Sequence, residues 1–302
     1  MNGGNVMSKL AELSNDLAQM VKNASPAVVR VEARHWLPAS GSIWSQDGVI
    51  VTVHHGVEKD EGVKVGLADG STVPASLVGR DPTTDLAVLR IQASGLANLL
   101  TAADSSVAVG NLALAVGRPG EQVQASLGLI SALEGPWRTP AGGQVDRYVF
   151  ADLVMYPGFS GGPLLDAQGA YLGTNTTGLV RNQVATLTPA TVKRVVETLL
   201  AYGHMRRAYI GMGSQPVRLP SNLVSGVGQE TGLLINSVEP GSPAEKGGLL
   251  VGDILTGFAG QPVRQMDDLA VVLNGLEPGK VTPVSLVRAG AVQSLTLTLG
   301  EK

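Results

Sequence analysis

One serine, one aspartate and a pair of histidines in this chain are of the types that can act together on an amide. Ser160 lies in Tyr156-Pro157-Gly158-Phe159-Ser160-Gly161-Gly162-Pro163, where three glycines and two prolines surround one hydroxyl. Glycine at this density marks unusual turns or close backbone approach, not an ordinary strand. His54 and His55 follow the apolar run Val49-Ile50-Val51-Thr52-Val53, and Asp85 precedes Leu86-Ala87-Val88-Leu89. Serine attack needs a base to take the hydroxyl proton and a carboxylate to hold that base in one tautomer, and the three can be far apart in sequence. They occur in the order His, Asp, Ser. Taken singly, each is a residue that commonly ends a strand or makes a turn; the joint order and context carry the reading.

The elements that must position them are mostly strands. Short β-rich runs separated by Gly, Asp and Pro extend from Ala27 to about Leu187, which predicts an antiparallel barrel or sandwich. Before them, Leu10, Leu13, Leu17, Met20 and Val21 fall at helical spacing, with Ser8 as N-cap and Ser25-Pro26 as the stop. This is an amphipathic arm over residues 1–24, read as a packing or assembly element. After the strands, Thr188-Pro189 opens a helix with Val192, Val195, Val196, Leu199 and Leu200 on one face and Gly203 as its end. We place the domain boundary there, giving residues 25–203 and 204–302.

Composition excludes several classes. The chain has 302 residues, 44% hydrophobic and 16% charged, enough for two domains of modest size. A net charge of -3 with only 22 Lys+Arg and no basic run argues against a nucleic-acid partner or an anionic membrane. Without cysteine, neither disulfides nor zinc-thiolate sites hold the fold. The first twenty residues are too polar for a signal peptide or spanning helix. As it stands the sequence reads as cytoplasmic, and as a cell-envelope protein if a leader has been removed.

Several motifs together resemble one family. Ser40 to Gly48 (SGSIWSQDG), Thr52-Val53-His54-His55-Gly56, Asp81 to Leu89 (DPTTDLAVL) and Gly158 to Pro163 (GFSGGP) resemble, in order, the signatures of trypsin-like serine peptidases. Tyr209-Ile210-Gly211-Met212, Pro240 to Ala244 and Gly248 to Leu255 resemble a PDZ domain. The whole resembles the HtrA/Deg proteases. That resemblance implies a mainly β fold, a trypsin-like double six-stranded barrel followed by a PDZ domain.

The resemblance also implies roles. The family base lies three residues after the threonine, which selects His55 over His54. His55 is then the base, Asp85 its orienting carboxylate and Ser160 the nucleophile, with the N–H groups of Gly158 and Ser160 as oxyanion hole. Gly161 and Gly162 are expected to leave room for substrate. Val154, Met155, Thr186 and Leu187 should line the specificity pocket; with no acid at its base, cleavage after Val, Ala, Leu or Met is expected. Tyr209, Ile210, Gly211 and Met212, with Leu269 and Val272 on a helix, should receive hydrophobic C-terminal or extended peptides by strand addition. The implied function is an ATP-independent endopeptidase acting on unfolded or misfolded polypeptides, without cofactor or metal.

The sequence also departs from the family. Phe159 replaces the usual Asn or Asp, and the segment His35 to Trp44 is short. The short segment makes large loop-built oligomers less favoured and leaves a monomer and a trimer both open. A peptide-binding scaffold without a working oxyanion hole is the main rival, and an esterase is disfavoured because no G-x-S-x-G elbow is present.

Overall fold

A computed structural model describes residues 3–101, 107–180 and 183–301. The chain divides into two compact units, Met1–Met205 and Arg206–Lys302.

Helix α1 (Gly3–Ala24) opens the first unit. It starts ahead of Ser8, so Ser8 is an interior residue and not the expected cap. Leu10 and Leu13 are exposed. Leu17, Met20 and Val21 pack against Ala24, Val28, Leu114, Val116 and Leu165, so among the described side chains those of the C-terminal part of the arm gain an apolar seat.

Six strands follow, β1 (Val28–Glu32), β2 (Ala39–Ser45), β3 (Val49–Val53), β4 (Val63–Gly66), β5 (Thr72–Asp81) and β6 (Leu86–Ile91). They close into an antiparallel barrel in the order β1-β2-β3-β6-β5-β4. The apolar run Val49–Val53 is buried throughout, as a strand covered on both faces must be. A second set comprises β7 (Leu112–Gly117), β8 (Gln124–Glu134), β9 (Trp137–Arg138), β10 (Gln144–Val145), β11 (Tyr148–Asp152), β12 (Pro163–Asp166), β13 (Tyr171–Thr176) and β14 (Ala185–Leu187). All but the small pair β9 and β10 close a second barrel, in the order β11-β14-β13-β12-β7-β8.

Helix α2 (Pro189–Tyr202) joins these layers. Its Val192, Val195, Val196 and Leu199 pack with Val49, Val51, Leu86 and Val88 of one barrel and Leu187 of the other. Each such side chain contributes about 1.5–3 kcal/mol by leaving water. Leu200, expected on this face, is 39% exposed. Gly203 ends the helix in the left-handed region, its N–H donating to Leu199 O.

The second unit holds β15 (Ala208–Tyr209), β16 (Met212–Arg218), α3 (Ser221–Val227), β17 (Thr231–Val238), α4 (Pro243–Lys246), β18 (Ile254–Phe258), β19 (Gln261–Pro262), α5 (Met266–Asn274), β20 (Val281–Arg288), β21 (Ala291–Thr298) and β22 (Gly300–Glu301). Its main sheet runs β16-β17-β18-β20-β21, which leaves β16 as an edge strand. Leu233, Leu255, Phe258, Val284 and Leu297 form its core.

Candidate active site

His55 and Asp85 meet in the first unit, which also holds Ser160. His55 lies in a single 3-10 turn, His54–Gly56, directly after β3. Asp85 ends the turn between β5 and β6. The buried Asp81 carboxylate builds that turn, accepting from Thr83 N (3.0 Å), Thr83 Oγ1 (2.6 Å) and Thr84 Oγ1 (2.7 Å). Asp85 itself has φ 57°. A non-glycine residue there carries about 1–3 kcal/mol of strain and needs surroundings that hold it.

Those surroundings are the histidines and a threonine. His54 N donates to Asp85 O (2.9 Å), and His55 N donates to Asp85 Oδ1 (3.0 Å). His55 Nδ1 lies 2.7 Å from Asp85 Oδ2, which also accepts from Thr176 Oγ1 at the end of β13. With the carboxylate accepting at Nδ1, the proton of neutral His55 sits on that nitrogen and Nε2 keeps its lone pair. His54 has no comparable partner: its Nδ1 is buried and unpaired among the described residues. Burial lowers its pKa below the ordinary histidine range, and the nearby Asp85 only partly opposes this.

Ser160 is 7% exposed, and its carbonyl accepts from Ser40 N of β2 (3.0 Å). Phe159 O accepts from Gly162 N (2.9 Å), and because a trans peptide points C=O and N–H in opposite directions, Ser160 N–H faces away from Gly162. Gly158 has φ 86°, and its carbonyl accepts from Ser40 Oγ (2.7 Å), which itself accepts from Arg118 N (2.8 Å). Among the described residues, neither Gly158 N–H nor Ser160 N–H donates to a protein acceptor.

The glycines after Ser160 have a different cause from the one expected. A β-carbon on Gly161 (φ 89°) would collide with Ser40 O and come within 2.6 Å of Thr52 Oγ1. One on Gly162 would collide with Val116 O. The space beside them is filled by β2 and β7, so these residues let strands of both barrels close on the loop, and they do not open room for substrate.

Phe159 is fully buried, packed with Ala113, Ala115, Ile130, Val149, Leu164 and Leu172 in the second barrel. Tyr156 meets it edge-on, ring centres 5.4 Å apart.

Of the expected pocket residues, Val154 is 58% exposed and Met155 is partly buried against the same cluster as Phe159. Thr186 is buried, its hydroxyl donating to Asn175 Oδ1 (2.7 Å). Leu187 faces the core beneath α2 with no exposure, because successive side chains of β14 alternate between faces, and it lines no opening. Sequence reading quoted Ser40 in a motif without giving it a role and missed Thr176 and Thr177, for which the Thr-Asn-Thr-Thr-Gly run from Thr174 to Gly178 was the available signal.

In the second unit the carbonyls of Ile210 and Gly211 accept from Ala244 N and Glu239 N, both at 2.9 Å. By the same peptide geometry, the N–H groups of Gly211 and Met212 face the other way. Tyr209 hydroxyl donates to Glu239. Ile210 and Leu269 belong to the core, whereas Met212 and Val272 are partly exposed. No group of three or more His, Asp or Glu residues among the described residues is arranged to hold a metal ion.

Residues 39–173 match the trypsin-like peptidase domain and residues 234–286 the PDZ domain. The matched order is that of the two units. This chain belongs to the HtrA/DegP-like family. It is 32% identical over 277 residues to a probable periplasmic serine endoprotease DegP-like of Chlamydia trachomatis, covering 89% of this chain and 55% of the relative. Against the protein of the same description from Rhizobium meliloti it is 34% identical over 268 residues, 86% of this chain and 53% of that one. The chain thus spans about half the length of the curated relatives it matches.

Among solved structures, the serine endoprotease from Yersinia pestis superposes with a TM-score of 0.73 at 28% identity, over 94% of this chain and 97% of that one. The HtrA-type protease AlgW with decapeptide gives 0.73 at 25% identity, over 94% and 98%. The expected fold, a double six-stranded barrel followed by a PDZ domain, is the observed one. A cytoplasmic location finds no support, since these curated HtrA/DegP-like relatives are named periplasmic. Among the described residues no helix is long and apolar enough to cross a membrane.

Proposed function

We propose that this HtrA/DegP-like chain is an ATP-independent serine endopeptidase of the cell envelope that cleaves unfolded or misfolded polypeptides. The observation that carries the reading is the His55 Nδ1 to Asp85 Oδ2 contact of 2.7 Å, in one unit with a glycine-flanked Ser160. His55 takes the Ser160 proton as Oγ attacks the scissile carbonyl, and Asp85 stabilises the imidazolium. The N–H groups of Gly158 and Ser160 hold the oxyanion. His55 then protonates the leaving amine, and water repeats the sequence to release the acyl group. Hydrolysis is downhill and these residues supply each proton transfer, so no nucleotide is needed.

Val154 and Met155 bound the site for the residue before the scissile bond. No acid is offered to a Lys or Arg there, so Val, Ala, Leu and Met are the residues accepted. In the PDZ domain, Gly211 and Met212 N–H receive a terminal carboxylate, the chain adds to the edge strand β16, and Val272 of α5 meets its apolar side chains. The decapeptide held by AlgW supports peptide binding of this general kind. Casein digestion by the wild type and by Ser160→Ala tests the reading: the wild type degrades casein and the variant does not. Proteolysis surviving the substitution would remove Ser160 as nucleophile, and an inert wild type would favour a peptide-binding scaffold.

A further inference from the structure

The tripeptide Thr176-Thr177-Gly178 touches all three members of the proposed triad. Thr176 Oγ1 donates to Asp85 Oδ2 and accepts from Gly178 N (2.9 Å). Gly178 lies so close over the pair that a β-carbon would come within 2.5 Å of Asp85 Oδ2 and 3.0 Å of His55 Nδ1. Thr177 Oγ1 is 3.2 Å from Ser160 Oγ, either hydroxyl being able to donate. Among the described residues this is the hydrogen bond that Ser160 Oγ makes; it makes none to His55.

A serine side chain occupies one of three staggered rotamers at a time. While Ser160 Oγ rests on Thr177, its proton is not presented to the base. The contact is longer than the ordinary 2.5–3.0 Å range for paired hydroxyls, which marks it as weak and readily exchanged. Ser160 is nearly buried whereas Thr177 is exposed, so a peptide carbonyl brought within reach of Ser160 Oγ meets Thr177 first.

We propose that Thr177 is a positioning residue that latches the nucleophile: its hydroxyl holds Ser160 away from His55, and an arriving peptide displaces it and frees Ser160 to turn to the base. The latch rests on the reading of Ser160 as nucleophile. It makes the resting site less reactive than its His–Asp pair alone would allow, and it makes substrate occupancy part of activation. A neutral hydroxyl pair of this strength corresponds to about a 2- to 10-fold effect.

Thr177→Val keeps the shape and removes the hydroxyl; Thr177→Ala removes the hydroxyl and the γ-methyl together, so no added methyl can press on Ser160; Thr177→Ser keeps the hydroxyl. Two readouts are needed: the rate at which a fluorophosphonate labels Ser160 in the full chain, and the Ser160 rotamer in crystals of each variant. The expected result is about 2- to 10-fold faster labelling of the Val and Ala variants, with Ser160 Oγ turned to His55 Nε2. The Ser variant should match the wild type, and melting temperatures should be equal throughout. A Ser160 rotamer unchanged in both the Val and Ala variants overturns the latch, as does labelling no faster than the wild type in proteins that do label. A rotamer that turns to His55 in proteins that never label upholds the latch and overturns the peptidase reading instead.

Discussion

The ring of Phe159 lies directly on Gly117, the last residue of β7: a β-carbon at that glycine would come within 2.7 Å of Phe159 Cδ1. The residue beside the proposed nucleophile is therefore seated in the barrel interior against a site that admits no side chain. Gly117→Ala should push the ring outward, cost about 1–3 kcal/mol as overpacking does, and slow fluorophosphonate labelling of Ser160 by misplacing its amide. Phe159→Ala should destabilise the chain by about 3–5 kcal/mol. A Phe159→Ala protein that melts like the wild type would contradict this packing.

Ser40 couples the first barrel to the oxyanion loop. It donates to Gly158 O and accepts from Arg118 N, and both partners are buried. Ser40→Ala leaves a carbonyl and an amide unpaired, at about 1–3 kcal/mol, and frees the Gly158–Phe159 peptide to turn. Labelling should slow by up to about 100-fold, the scale of losing one oxyanion donor. Full reactivity in Ser40→Ala would show that other contacts suffice to hold the loop.

His54 should make stability depend on pH. Burial holds its folded-state pKa below the unfolded value of about 6.5, so the unfolded chain takes up the proton first. The stability present above about pH 6.5 is lost as pH falls through the folded value. Melting temperatures of wild type and His54→Gln, taken from about pH 7.5 to 5, should diverge, with the variant falling less steeply. Parallel curves would show that His54 does not contribute to acid sensitivity.

The PDZ domain should bind free C-termini. Isothermal titration with peptides ending in Val, Leu or Phe should show binding that amidation of the terminal carboxylate abolishes. Gly211 has φ 81°, and a β-carbon there would collide with Ser242 and approach the Tyr209 hydroxyl to 2.8 Å. Gly211→Ala should therefore weaken binding by at least about tenfold, or 1.4 kcal/mol. Equal affinity for amidated peptides would exclude the carboxylate loop.

The His55–Asp85 pairing was legible in the sequence only through the joint order of several short motifs and their resemblance to one family, since each residue alone reads as an ordinary turn or strand end. The amphipathic helices were legible too, since their apolar spacing is local. What tertiary structure decided depends on contacts between distant segments. Ser40 reaches Gly158 across 118 positions, and Thr176 reaches Asp85 across 91. Gly161 and Gly162 look alike as letters whether they admit a substrate or a neighbouring strand; only the approach of Ser40 O and Val116 O distinguishes the two. Leu187 and Thr186 are adjacent, yet the pleat of β14 sends Leu187 to the core beneath α2 while the Thr186 hydroxyl is tied to Asn175, a choice set by strand register and not by residue type. The same holds for the Ser160 hydroxyl, whose pairing with Thr177 in preference to His55 is a matter of one rotamer in a packed site, which no pattern of neighbouring residues encodes.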